Sequence, residues 1–169
     1  MNRPPTSGRV AVDRQHPQVH RAQIEVAKAV RRAAREAGLD RTLVELVNIR
    51  ASQINGCASC LDVHVRAALR GGESSQRIAV LPAWRDTDLF TPAERAALVL
   101  TESLTTLPDP RIQDQDHAEA ARHLTPEQRS AVIWIVITIN AFNRVSIASR
   151  HPVHERGAVS PPAVRPHNP

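Results

Sequence analysis

Two four-residue signals constrain this chain more than anything else in it. Thr91-Pro92-Ala93-Glu94 and Thr125-Pro126-Glu127-Gln128 each offer a hydroxyl, a proline and an acid or amide at the N-cap, N1 and N3 positions of a helix. The threonine oxygen can accept from the N3 amide while the N3 side chain reaches back to the threonine N–H. Two donors that a helix start leaves unpaired are thereby satisfied. The second signal launches AVIWIVITINAF, residues 131–142. Its β-branched content alone would suit a strand. The cap in front of it, and a length that carries on through Ser149, predict a buried helix at the centre of a bundle. Trp134, Ile135 and Ile139 are expected in its core, and the helix is a candidate for an oligomer interface.

The rest of the chain reads the same way. Val19, Ala22, Val26, Val30, Ala33 and Ala37 recur every three or four residues, one stripe of a helix that Gly38 closes. Asp40 can cap the next helix, whose apolar side is Leu43, Leu46, Val47 and Ile54. Asn55-Gly56 breaks it, and a third helix runs from about Cys57 to Arg70, before Gly71-Gly72. Further helices are expected over 74–81, from Pro92 to Leu107, and over 113–123. The predicted fold class is all-α. A content of two Phe, two Trp and no Tyr fits helices better than sheet. Residues 1–16 and the proline-rich 157–169 read as flexible arms, with one domain over 17–156.

The formal charge is +5, and every basic residue but Lys28 is arginine. Arg31, Arg32 and Arg35 cluster on one helix, and Arg3, Arg9 and Arg14 near the start. No aromatic residues interleave with them, so a solvated face is the reading, not nucleic-acid binding. No run of 18 apolar residues predicts a membrane span, and MNRPPTSGRVAVDRQ lacks a secretory signal's apolar core. The expected compartment is the reducing cytoplasm, where a merely structural disulfide would be poorly maintained.

That expectation sharpens interest in ELVNIRASQINGCASCLDVH, residues 45–64, which holds the only two cysteines. Cys57 and Cys60 fall in the first turn of a helix, three residues apart, close enough to bridge. Helix-start N–H groups favour a thiolate. His64 lies one turn beyond Cys60 on the same face, and an imidazole can take a thiol proton and return it. Glu45, on the preceding helix, can orient His64 if the two helices pack across each other. Nucleophile, base and orienting acid are then all present. Two readings compete with this one. Zinc could be held by Cys57, Cys60, His64 and one of Glu45, His117, His123 or His151, though no second cysteine pair exists. The cysteines could also be an inert buried pair. Arg50 could pair with Glu45 only awkwardly, and a structural salt bridge near the site fits it about as well. Asn55 is expected to cap the third helix or serve the Gly56 turn. Asn140 and Asn143, amides in an apolar run, need partners on backbone or a neighbouring subunit.

The segment from Glu45 through Arg50, Ser52, Asn55, Cys57 and Cys60 to His64 resembles the signature of the alkylhydroperoxidase D-like (AhpD-like), or carboxymuconolactone decarboxylase, family. Leu81-Pro82-Ala83-Trp84-Arg85 and Ile139-Asn140-Ala141-Phe142-Asn143-Arg144 resemble two further family segments, so the likeness spans about residues 17–150. The resemblance implies an AhpD-like helical bundle assembled as a homo-oligomer, often a trimer or hexamer. It implies a thiol peroxidase using no metal, flavin or haem, with a peroxide substrate and an external dithiol reductant. By the same resemblance Cys60, the cysteine nearer His64 and Glu45, is the peroxidatic thiol and Cys57 the resolving one. A thioredoxin analogy would choose Cys57. The best-known peroxidase members have a histidine immediately before the second cysteine, where this chain has Ser59, which can at most hold a water or pass on a hydrogen bond. The decarboxylase branch lacks the cysteine pair. The alternatives are a general thiol–disulfide oxidoreductase and a non-enzymatic metal-binding or structural oligomer.

Overall fold

The computed structural model describes residues 8–153, and within them the fold is all-α with no strand. The helices are α1 (Val12–Gln15), α2 (Pro17–Glu36), α3 (Arg41–Asn55), α4 (Ala58–Arg70), α5 (Ser75–Val80), α6 (Pro92–Thr106), α7 (Pro110–Ala120) and α8 (Pro126–Ser149). A 3-10 turn, Leu81–Asp86, links α5 to α6. Both Thr-Pro signals form complete capping boxes, at the starts of α6 and α8. Asp40 caps α3, accepting from the Leu43 N–H at 2.7 Å. α7 begins three residues earlier than expected, because Asp109 caps it through the Arg111 N–H and Pro110 occupies N1.

Helix α3 is the hub, packed against α4, α6 and α8 at once. Its Leu46, Val47 and Ile49 are completely buried. One apolar cluster joins α3 to α2, α6 and α8 through Val47, Leu100, Val132 and Val136. A second joins it to the 3-10 turn and α6 through Leu46, Ile49, Leu81, Trp84 and Leu98. Each such side chain, fully withdrawn from water, contributes about 1.5–3 kcal/mol.

α8 is long and apolar enough to cross a membrane by length and composition alone, although its strictly apolar run is short. Its packing against α2, α3 and α6 buries one face of that apolar length. Ile135 and Ile139 are buried as expected, but Trp134 is 51% exposed and is not a core residue. The α2 stripe departs in the same direction. Val30 is buried, while Val19 and Val26 are exposed. α2 leans on α8 by the face that carries Val30 and Ala34, which leaves Val26, Ala29 and Ala33 beside Trp134 on an outer apolar strip.

Part of the stretch expected as an arm is ordered against the body. α1 is tied to the end of α8 by the Val12 N–H donating to Ser149 Oγ at 3.0 Å, and His151 Nε2 lies 3.2 Å from Asp13 Oδ1. The remainder of that arm, residues 1–7, and the expected tail, 157–169, lie outside the described residues.

Candidate functional site

The site is built on the turn between α3 and α4. Gly56 has φ 68°, the left-handed conformation that costs an L-residue about 1–2 kcal/mol and glycine almost nothing. The Gly56 N–H donates to Gln53 O and the Cys57 N–H to Ser52 O at 3.0 Å, the paired bonds of a Schellman ending. Cys57 is thereby delivered to the N-cap of α4, where its sulfur accepts from the Cys60 N–H at 3.3 Å. Cys57 and Cys60 are joined as a disulfide with a Cα–Cα distance of 5.4 Å, and both are buried. The bond closes across the first turn of α4, where unpaired helix N–H groups favour negative charge on sulfur after reduction.

His64 lies one turn beyond Cys60, and its Nδ1 is 2.7 Å from Glu45 Oε2. An ionised carboxylate only accepts, so this contact places the proton on Nδ1 and leaves the Nε2 lone pair free to act as a base. Nε2 has no partner among the described residues. The crossing of α3 and α4 brings Glu45 and His64 together over 19 positions of sequence.

The four supporting positions go to different places. Arg50 does not meet Glu45. Its Nε donates to Glu102 Oε1 at 2.7 Å, tying α3 to α6. Trp84 Nε1 donates to the same oxygen at 2.9 Å, and Arg85 pairs with the other. Burial pushes the Glu102 carboxyl upward, but the bonds from Trp84, Arg85 and Arg50 outweigh it and hold the group below the ordinary glutamate value. Asn55 does not cap α4, because Cys57 takes that position. Its Nδ2 donates instead to the side-chain oxygens of Asn140 and Asn143, both at 2.9 Å. Buried Ser52 accepts from Asn143 Nδ2 at 3.0 Å. Asn140 Nδ2 reaches Val136 O and Thr105 Oγ1, so the amides of α8 find intrachain partners. Ser59 lines a cavity with Cys57 that His64 does not border.

One cavity lies against Cys57 and another against the Glu45–His64 pair. The first, of about 260 Å³, is bordered by Cys57, Ser59, Arg9, Arg150 and His151. The second, of about 500 Å³, is walled by Glu45 and His64. Among the described residues no three His, Cys, Asp or Glu side chains converge to hold a metal. His123 is near Glu119, and His151, which shares the smaller cavity with Cys57, pairs with Asp13.

The carboxymuconolactone decarboxylase family matches over residues 17–103, a span that includes Glu45, the disulfide and His64. The chain belongs to the carboxymuconolactone decarboxylase family. It is 41% identical over 114 residues to the uncharacterized protein YdfG of Bacillus subtilis strain 168, covering 68% of this chain and 78% of that one. It is 32% identical over 111 residues to the uncharacterized protein YnjA of Escherichia coli K12, covering 65% of this chain and 60% of that one. A crystal structure from Agrobacterium tumefaciens superposes with a TM-score of 0.76 at 28% identity, covering 86% of this chain and 99% of the other. That protein is of unknown function, provisionally assigned to antioxidant defence as AhpD. This family member therefore has an AhpD-like fold with a redox-capable cysteine pair at a helix N-terminus.

Proposed function

We propose that this protein is a thiol peroxidase that reduces organic hydroperoxides or hydrogen peroxide through a Cys57–Cys60 dithiol–disulfide cycle. The observation that carries the reading is the Glu45–His64 pair at 2.7 Å, one helical turn from Cys60. Glu45 fixes the imidazole tautomer, and His64 removes the Cys60 proton. The Cys60 thiolate attacks the distal peroxide oxygen. An S–O bond forms, the O–O bond breaks, and the departing alkoxide or hydroxide takes a proton from the His64 imidazolium. Cys60 is then a sulfenic acid. The Cys57 thiol attacks its sulfur, water leaves, and the disulfide seen here results.

The cavity beside Cys57 gives an external dithiol a route to that sulfur. Thiolate attack on Cys57 Sγ releases Cys60 as the leaving thiolate, and the second thiol of the reductant completes the exchange. The mechanism requires no metal or organic cofactor, and a reducing cytoplasm would supply the dithiol. General thiol–disulfide exchange uses the same sulfurs and differs in its oxidant. The outer apolar strip of Val26, Ala29, Ala33 and Trp134 supports assembly with further copies of the chain, which sedimentation tests directly.

Stopped-flow oxidation of the reduced protein by cumene hydroperoxide and by hydrogen peroxide tests the reading. Rapid loss of two thiols is expected, abolished in C60S and arrested at sulfenic acid in C57S. Oxidation no faster than that of a free thiol would refute the peroxidase assignment.

A further inference from the structure

The larger cavity carries a feature that peroxide chemistry alone does not explain. Its rim holds Arg31 and Arg35, one turn apart on α2, and Arg41 at the start of α3. None of the three has a carboxylate within salt-bridge distance among the described residues. The apolar part of the lining includes Leu39, Val44 and Val63. His64 and Glu45 close one side. Glu45 brings one negative charge to this side, outnumbered by the three guanidiniums. A volume of about 500 Å³ accommodates a small amphipathic molecule.

A guanidinium presents a planar fork of donors that matches a carboxylate in two-point contact. Three such groups over an aliphatic wall are complementary to a hydrocarbon chain ending in an acid. Cys60 precedes His64 by one turn, about 5–6 Å along the helix face. Cys60 itself does not line the cavity, so a chain anchored at the arginines has to extend past His64 to bring a reactive group to the sulfur.

We propose that this cavity recognises an amphipathic carboxylate, and that the preferred oxidant is a hydroperoxide of the fatty-acid type. The inference rests on the peroxidase reading for its chemistry, while the binding site stands on the arginines and the cavity. The bond changes are those given for Cys60, with the hydroxy acid as the leaving alcohol.

The test compares linoleic acid hydroperoxide with its methyl ester as oxidants of the reduced full-length protein. Exposed ion pairs are individually weak, so three acting on one carboxylate are expected to favour the acid by about tenfold in second-order rate constant. The preference should fall towards unity in R31A/R35A and be only partly kept in R31K/R35K, which retains the charge and loses the fork, with circular dichroism confirming the fold of each. An equal rate for acid and ester, or a preference that survives R31A/R35A, overturns the proposal.

Titration of oleate into the oxidised protein keeps the two readings separable. Binding weakened about tenfold in R31A/R35A supports the site even if no peroxide proves to be a substrate. Absence of oleate binding overturns it even if cumene hydroperoxide is reduced rapidly. A third arm compares dimercaptosuccinate with dithiothreitol as reductants of the disulfide. If the arginine variants alter that ratio and not the peroxide ratio, the carboxylate belongs to the reductant and the oxidant assignment falls.

Discussion

Asn143 is the buried keystone between α8 and the turn that delivers Cys57, and replacing it by leucine tests this directly. The side chain is wholly inaccessible. It accepts from Asn55 Nδ2 at 2.9 Å and donates to Ser52 Oγ at 3.0 Å. In N143L, Asn55 keeps its bond to Asn140, also at 2.9 Å. Ser52 is left without its partner in a place water does not reach. Stranding a buried polar group costs about 1–3 kcal/mol, so with the weakened Asn55 the expected loss is about 2–3 kcal/mol. For a chain of this size that is roughly a 5–10 °C fall in melting temperature. S52A should cost about 1–2 kcal/mol, because it strands the Asn143 amide. The S52A/N143L double variant removes both partners together and should lose about 1 kcal/mol less than the sum of the singles. Urea unfolding of the four proteins, all kept reduced, measures the cycle. Additive losses, or an N143L loss under about 0.5 kcal/mol, would refute the idea that this bond holds α8 to the turn.

H64A should slow Cys60 oxidation by about 10²–10⁴-fold without unfolding the protein, read by stopped-flow thiol loss across a pH series. E45Q, which retains a hydrogen-bonding oxygen but removes the charge, should slow it by less than H64A in the same assay. G56A places a Cβ at φ 68°; the space is open, so the loss should be backbone strain alone, about 1–2 kcal/mol by denaturant unfolding. Glu102 has a depressed folded-state carboxyl, so its stabilisation is present above the unfolded glutamate value of 4.5 and disappears as pH falls through the folded one. E102Q should therefore be less stable than the parent by about 2 kcal/mol near neutrality, with the two melting curves converging in acid.

Local signals in the sequence found local structure. The Thr91 and Thr125 boxes, Asp40 and Gly56 marked helix ends because caps are decided within four residues. The Glu45–His64 contact was legible because the spacing of Cys57, Cys60 and His64 fixed one helix face and a short turn fixed the neighbouring helix. What escaped depends on distant partners. Arg50 finds Glu102 across 52 positions, and Asn55 finds Asn143 across 88. No periodicity announces such pairs. The α2 stripe misled because an apolar face is consistent with burial in the body or with an outward apolar strip, and Val26 and Trp134 take the second course. Arg31 and Arg35 were visible as a basic cluster, but only the approach of α3 and α4 turns it into the rim of a cavity.

The disulfide spans only three positions of sequence. Closing so small a ring restricts the unfolded chain by about 2 kcal/mol on loop-entropy arguments, against nearly 5 for a hundred-residue loop. The larger part of the scaffold's margin against unfolding is consequently independent of the oxidation state of its sulfurs. α3, α6 and α8 carry that margin through apolar burial and the Asn55–Asn143 and Arg50–Glu102 anchors, none of which involves a sulfur atom. In the proposed cycle these anchors are untouched by the chemistry, so fatigue over many turnovers would come from overoxidised sulfur before lost structure.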